Sequence, residues 1–519
     1  MKEERSHIAI ATQHTPLTLK GVRGIAMCLL VGCAAWQIAY LIGWALEPFP
    51  IEYREWANVD AAMRFFSPDG PYGDTEGTGI YLYGLLYPLC GALAGKLSGG
   101  VTLGLMRMLS IGFSLLTALL VSLEVKRGAA KEWQLTMALS AFNMLLAVGW
   151  QGVPGVAVSA PLGTLLLVLA LLALKREQVV LSALFAVLAF YVKPYFVAIA
   201  FPSAVYLWQA VGPRACARYI IILCSLAVGS VLAVRAVFPF YFVYNVVHHL
   251  AAASRSLPHL LHQLGWIGLL YAPLWLLLCR GPWRRDAYAV ATFCMMLVFL
   301  WVGGHVGADM TYFLHLVLPP LALCALPRMK LLQPAHRAPM LFAIIALPLV
   351  GGAWRFYCPR MLSSEERRAW TSLHEMVERL PQTAIVCSPC AAPLAAQRGL
   401  TSFDNGQAQY VSSLYLDNKA VCLLFPEQRA LRQRATTFEP NLRERISRHE
   451  WPVVVVDTCS LLPANFLLQA GYERTKVIPL RCGRHELAAE VWIPQQAPLS
   501  PERREGSRYH RRKTIRVPS

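Results

Sequence analysis

The chain is poor in charge. Only 15% of its 519 residues are Asp, Glu, Lys or Arg, where a soluble domain carries about a quarter, and that scarcity excludes an ordinary water-soluble globule. Acid is scarcer than base, 30 residues against 48, for a formal net charge of +18. Other absences narrow the field further. The fourteen cysteines include a single CxxC, Cys387-Ser388-Pro389-Cys390, so there is no double pair of the zinc-binding kind. That CxxC reads as a buried or incidental pair, with a disulfide as the alternative. No glycine-rich loop follows a strand, because Val453 to Val456 leads into Asp457-Thr458-Cys459, and a nucleotide-phosphate cradle is therefore not expected. No motif of one half recurs in the other, which disfavours the repeats common in transporters. The first apolar block, residues 24–46, has no small-residue cleavage site and exceeds a signal-peptide core, so it is read as a retained signal anchor.

What the chain has in quantity is apolar sequence. Hydrophobic residues make up 56%, in blocks of roughly 17 to 25, the length that crosses about 30 Å of hydrocarbon at 1.5 Å per residue. Lipid offers backbone groups no partners, so these blocks are expected to be helices. Candidate spans are 24–46, 80–97, 101–123, 134–150, 157–174, 179–193, 195–211, 219–238, 263–279, 287–302, 311–326 and 338–354. The basic loops Lys175-Arg176, Arg214 to Arg218, Arg280 to Arg285 and Arg328 to Arg337 alternate with loops poor in Lys and Arg, which places the basic set in the cytoplasm. Residues 1–23 are then cytoplasmic and everything after about Trp354 lies outside, so the number of spans is odd. Either 80–97 is a surface or re-entrant helix, giving eleven, or one span is missed, giving thirteen. Most of the net charge is accounted for by these loops and by Arg503, Arg504, Arg508, Arg511, Arg512, Lys513 and Arg516 in the tail. No nucleic-acid partner is expected, and membrane lipids are.

Composition changes near residue 362. Ser363-Ser364-Glu365-Glu366 opens an amphipathic helix, while Ala384-Ile385-Val386 and Val453 to Val456 read as buried strands, the alternation of a small α/β domain. The domains are thus 1–23, a membrane domain 24–354 with an outer loop 47–79, an extracytoplasmic α/β domain 355–494, and a basic, disordered tail 495–519. The outer loop holds Glu52, Glu55, Asp60, Asp69, Asp74 and Glu76. Long loops in compact proteins are usually functional. Cations near the outer surface are Arg107, Lys193, His248, His249, Arg255 and His305. A cation inside a span is costly enough to suggest function, although Lys193 could equally snorkel to headgroups, Arg107 could serve as structural partner to a loop acid, and His248-His249 could be a wet interfacial pair. Trp36, Trp44, Tyr53, Trp56, Tyr72, Tyr81, Tyr83 and Tyr87 read mainly as an interfacial aromatic belt, with stacking on a sugar as the alternative.

Several short runs, taken in order, carry a resemblance. Pro50-Ile51-Glu52-Tyr53-Arg54-Glu55-Trp56, Gly70-Pro71-Tyr72, Tyr83-Gly84-Leu85-Leu86-Tyr87-Pro88, Arg107-Met108-Leu109-Ser110, Tyr191-Val192-Lys193-Pro194 and Gly304-His305-Val306-Gly307-Ala308 leading to Tyr312-Phe313 resemble the C-type superfamily of membrane glycosyltransferases (GT-C), in particular its protein-mannosyltransferase-like members. The likeness covers residues 24 to 354. It implies a polytopic helical fold of about 11–13 transmembrane helices with a C-terminal α/β domain in a bacterial plasma (inner) membrane. It also implies sugar transfer from a polyprenyl-phosphate donor to a glycan, lipid or protein acceptor outside, with inversion. A first-loop carboxylate would be the general base: Glu55, which follows Tyr-Arg in the matching run, or Asp60. Arg107, Lys193, His305, Tyr312, His248 and His249 would bind substrate. Family members commonly pair two acids in adjacent positions, whereas here Glu52, Glu55 and Asp60 are spread, so no metal site and no cofactor are expected, with a divalent cation held by carboxylates, as in oligosaccharyl-transferring relatives, as the alternative. The alternative function is a transporter or flippase of lipid-linked or hydrophobic solutes.

Overall fold

The computed structural model describes residues 19–495 apart from short segments and the longer stretches 73–80, 147–155, 246–255, 347–361 and 403–440. His248, His249, Arg255, His305, Glu52, Tyr53 and the tail 496–519 lie outside the described residues.

The membrane domain opens with α1 (Leu19–Ala45), followed by two short helices of the outer loop, α2 (Arg54–Met63) and α3 (Leu86–Ser98). Then come α4 (Leu103–Gly128), α5 (Gln134–Leu146), α6 (Ala160–Lys175) and α7 (Val179–Phe190). A 3-10 turn (Pro194–Ile199), α8 (Ala200–Tyr206) and a π turn (Leu207–Val211) run together into one long element, and α9 (Pro213–Val237) follows. The remainder is α10 (Leu257–Leu270), α11 (Ala272–Leu278), α12 (Ala287–Val302), α13 (Thr311–Leu316) and α14 (Leu318–Ala325). Among the described residues four helices are long and apolar enough to cross a membrane: Arg23–Ala45, Leu103–Gly128, Pro194–Val211 and Pro213–Val237. The pair α10 and α11, bent by 75°, adds a fifth if it is one span, and α6, α7 and α12 are shorter apolar helices.

Neighbouring apolar blocks play different parts. Nearly every residue of α6 from Ala160 to Leu174 is buried, as expected of a helix that is hydrophobic all round and surrounded by others. Helix α9 is as apolar but buries only Cys216 and Tyr219, so it forms an edge of the bundle. Helix α3 covers only part of the candidate span 80–97. Its 13 residues reach only about 20 Å at 1.5 Å per residue. The helix packs on α2 and α4, with Tyr87, Pro88, Gly91, Ala92 and Gly95 buried, and it stops where Gly99 turns left-handed (φ 86°) with its N–H bonded to the Gly95 carbonyl, the usual glycine helix stop. So short a helix suits the surface or re-entrant alternative for 80–97.

The C-terminal domain begins with α15 (Ser364–Arg379), started by a capping box between Ser363 and Glu366. Trp370, Leu373, Met376 and Val377 make its buried face. Then follow β1 (Ile385–Cys387), α16 (Ala392–Gln397), β2 (Thr401–Ser402), β3 (Val454–Asp457), α17 (Ala464–Gln469), β4 (Tyr472–Cys482) and β5 (His485–Pro494). The five strands form one sheet in the order β2-β1-β3-β5-β4, parallel across β2, β1 and β3 and antiparallel across β3, β5 and β4. The expected α/β domain is present. Cys387 and Cys390 are buried thiols, not a disulfide.

This domain packs directly on the membrane domain, with Trp370, Leu373 and Val377 in one apolar cluster with Leu41, Trp44 and Ile111. At that contact the His374 ring meets Phe49 edge-on, centroids 5.3 Å apart. Burial pushes the His374 pKa below its ordinary value, with Glu378 opposing. A depressed histidine favours the folded state at pH above about 6.5 and loses that contribution as pH falls through the folded-state value. We expect the thermal midpoint of the intact protein to drop between pH 7 and pH 5, and His374→Gln to flatten that drop; an unchanged pH profile in the variant would show that other groups cause it.

Candidate active site

Two of the expected residues meet in the interior. Glu55 lies in the first turn of α2, where a carboxylate favours the helix dipole, and Arg107 lies in the second turn of α4. Both are 0% exposed. The guanidinium clasps the carboxylate with two bonds, Nε to Oε1 and Nη2 to Oε2, each 2.7 Å. Its other N–H groups donate to the carbonyls of Trp44 (2.9 Å), Glu47 and Phe49 (2.8 Å). All five donors of Arg107 are used, the full capacity of the side chain. Oε1 of Glu55 also accepts the Ala157 N–H at 2.9 Å. The pair therefore ties together the end of α1, α2, α4 and the chain entering α6.

The matching runs of the sequence converge around it. The Tyr87 hydroxyl donates to the Met106 carbonyl at 2.8 Å and lies 2.8 Å from Ser110 Oγ, which donates to the Val158 carbonyl at 3.0 Å. Gly84 and Leu86 donate backbone N–H groups to the carbonyls of Val192 (3.2 Å) and Tyr191 (3.0 Å). A Cβ on Gly84 would fall 2.1 Å from the Tyr191 oxygen, so only glycine permits this approach. The Tyr81 hydroxyl donates to Asn58 Oδ1, and Tyr72 to the Tyr83 carbonyl at 2.6 Å. Trp44, Trp56, Tyr72, Tyr81 and Tyr87 are buried. Instead of forming the expected aromatic belt, these five rings pack inside the fold, and the hydroxyls of Tyr72, Tyr81 and Tyr87 find partners there; Trp36, 53% exposed, remains on the outside of the bundle.

Lys193 sits where the Gly84 contact delivers it, past the end of α7, with Pro194 preventing continuation of that helix. Its ammonium is 5.3 Å from the centre of the Tyr83 ring and 5.9 Å from those of Tyr195 and Tyr312, within cation-π range. Lys193, Tyr83, Tyr195 and Tyr312 are half-buried, in contrast to the sealed Glu55–Arg107 pair. His315, one turn beyond Tyr312, joins the group and feels the Lys193 charge. Its Nδ1 is 2.8 Å from Thr164 Oγ1. Since Thr164 donates its own proton to the Ala160 carbonyl at 3.1 Å, Nδ1 carries the imidazole proton. Nε2 is left with a lone pair, buried and without a partner. Sequence reading missed His315, Thr164 and Tyr195; the spacing of three between Tyr312 and His315, which puts both on one helix face, was the available signal for the histidine.

Asp60 lies elsewhere. Five residues after Glu55, it is about 140° around α2 at 3.6 residues per turn, on the half-buried face, where Arg64 holds it with bonds of 3.0 and 2.5 Å. Among the described residues no three His, Cys, Asp or Glu side chains converge as a metal site would require.

No family model matches the chain, and no curated protein matches it by sequence. Among solved structures it is similar to ArnT from Cupriavidus metallidurans bound to undecaprenyl phosphate, with a TM-score of 0.59, 13% identity, and coverage of 89% of this chain and 98% of that one. The apo state of ArnT from the same organism gives a TM-score of 0.58 at 12% identity over 89% and 97%. The apo oligosaccharyltransferase of Archaeoglobus fulgidus aligns less closely, at TM-score 0.48 and 10% identity over 85% and 70%. At such identities the likeness is one of fold.

Proposed function

We propose that this chain, which has the GT-C fold, is an integral membrane glycosyltransferase that moves a sugar from a polyprenyl-phosphate donor to an acceptor on the extracytoplasmic side. The observation that carries the reading is the half-buried cluster of Lys193 with Tyr83, Tyr195 and Tyr312, joined by backbone bonds at Gly84 to the chain that follows the acidic outer loop. The lipid phosphate bound by the ArnT structure supports the same donor class here. Eleven spans, with α3 on the surface, would set the membrane domain in the plasma membrane and carry α15 and the sheet outside.

In this reading the acceptor oxygen attacks the anomeric carbon as the bond from that carbon to the phosphate oxygen breaks, so the configuration inverts. The phosphate leaves with the electron pair toward the Lys193 ammonium and the Tyr312 hydroxyl, since a stable anion needs cationic and hydrogen-bond donors more than a strong acid. The acceptor proton passes to Glu55 as general base. Arg107 occupies both carboxylate oxygens, so one of those bonds must yield before Glu55 receives a proton. Asp60, on the other face of α2, is the alternative base.

Glu55→Gln and Asp60→Asn, assayed separately in vesicles with radiolabelled polyprenyl-phosphate sugar and native envelope acceptors, decide between the two. Glu55→Gln is expected to lower transfer by about 10²-fold or more with donor binding retained, and Asp60→Asn to leave it near the parent value. The opposite pattern would move the base to Asp60. Full activity in both, or no transfer by the parent, would overturn the enzyme reading.

A further inference from the structure

The six residues from Trp44 to Phe49, at the end of α1 and just beyond it, have two sets of contacts. Their backbone carbonyls, those of Trp44, Glu47 and Phe49, take three of the five N–H groups of Arg107. Their side chains hold the outer domain. The Glu47 carboxylate, 1% exposed, accepts two bonds on Oε2 from Arg367 of α15, at 3.2 and 2.8 Å, while its Oε1 is buried without a partner. The Phe49 ring stacks on Trp370 with centroids 6.2 Å apart and meets His374 edge-on.

A buried carboxylate is costly without a charged partner, and among the described residues Glu47 has only Arg367, which the outer domain supplies. If α15 shifts, Glu47 must follow or turn toward water. Its carbonyl moves with it, and so does the Arg107 guanidinium that this carbonyl holds against Glu55. Arg107 is planar and uses every donor, so it cannot absorb such a shift by changing one bond alone.

We propose that residues 44–49 couple docking of the outer domain to the placement of Glu55, with Arg367 and Trp370 as positioning residues that act through Arg107. As a statement about catalysis this rests on the role given to Glu55 above; as a statement about coupled structure it does not. The consequence is an active centre sensitive to what the outer domain binds, because any load on α15 reaches the clasp that must open during transfer.

The test uses the full-length protein in nanodiscs. Arg367 is half exposed while Glu47 is buried, so Arg367→Ala strands the carboxylate, and its thermal midpoint is measured beside its turnover. It is expected to lower kcat by about ten-fold or more, the scale on which small misplacements act, with the donor KM unchanged, and Arg367→Lys should recover part of the loss. Arg379→Ala, which removes an exposed pair with Glu375 on the same helix, should leave kcat at the parent value. Independently of turnover, hydrogen exchange at the amides of residues 54–58 should speed up in Arg367→Ala. Phe49→Leu, which keeps apolar volume but loses the stacked ring, should give the same two signatures. An unchanged kcat in Arg367→Ala, or faster exchange confined to residues 363–379, would overturn the coupling. If the parent transfers no sugar, the role of Glu55 fails while the exchange measurement still decides whether the two regions are linked.

Discussion

Arg107→Ala is expected to cost about 3–5 kcal/mol of stability, the scale for breaking a buried ion pair by removing one partner. The variant would leave the Glu55 carboxylate in the interior and the carbonyls of Trp44, Glu47 and Phe49 without their donor. An interior carbonyl left unpaired adds its own desolvation penalty. Thermal unfolding of the purified protein in detergent, followed at several detergent concentrations, measures the loss. Arg107→Lys should recover little, because an ammonium has three donors and no planar fork for the carboxylate. A double variant with leucine at 55 and methionine at 107 should be more stable than Arg107→Ala while remaining inactive, since paired apolar replacements remove the stranded charge. A midpoint for Arg107→Ala within a degree or two of the parent would mean that water reaches the pair and that its burial has been misjudged.

Lys193→Ala carries the second large effect, and it falls on activity. The ammonium lies half-buried among three tyrosine rings, and its loss removes the cation proposed to receive the phosphate. Transfer is expected to fall by about 10²–10³-fold, the range seen when one donor to a developing anion is deleted, together with weaker retention of polyprenyl phosphate by the purified protein. Lys193→Arg should keep part of the binding, because the charge stays while its shape changes. Lys96→Ala is the matched control. That lysine also lies over an aromatic ring, Phe66, at 3.7 Å, but on the exposed end of α3, and its loss should leave transfer unaffected. Equal, small effects of both substitutions would mean that Lys193 only snorkels to headgroups, and the donor site would have to be sought elsewhere.

The two predictions differ in kind because the two poles of the site differ in burial. Glu55 and Arg107 are sealed, so their pairing mainly sets structure and readiness. Lys193 and Tyr312 are half-buried, and the proposed donor site rests on them. His315 adds a lone pair with no partner on Nε2, an acceptor that suits a hydroxyl donor and not a phosphate oxygen.

Much of this was legible in the sequence by itself. The length and spacing of apolar blocks, the low charge and the composition change near residue 362 determined a helical membrane domain followed by an α/β domain, because each is a local property of the chain that lipid or water reads directly. The order of the Tyr-Gly, Arg-Leu-Ser-like and Tyr-Val-Lys-Pro runs was enough to suggest the fold. What the sequence could not determine was partnership. Arg107 was equally compatible with a phosphate or a loop acid, and only packing brought it to Glu55, 52 positions away. Residues 80–97 are as apolar as a span, yet the described helix runs only from Leu86 to Ser98 and packs on α2 and α4, because Gly99 ends it. The tyrosines of the outer loop looked like a belt and are a scaffold, since whether an aromatic faces lipid or core depends on which elements close over it. The contact of Glu47 with Arg367 spans 320 positions, and no periodicity or motif carries information over that distance. Tertiary structure decided these points because burial, and the pairing of charges that burial enforces, are properties of the whole fold and not of any segment within it.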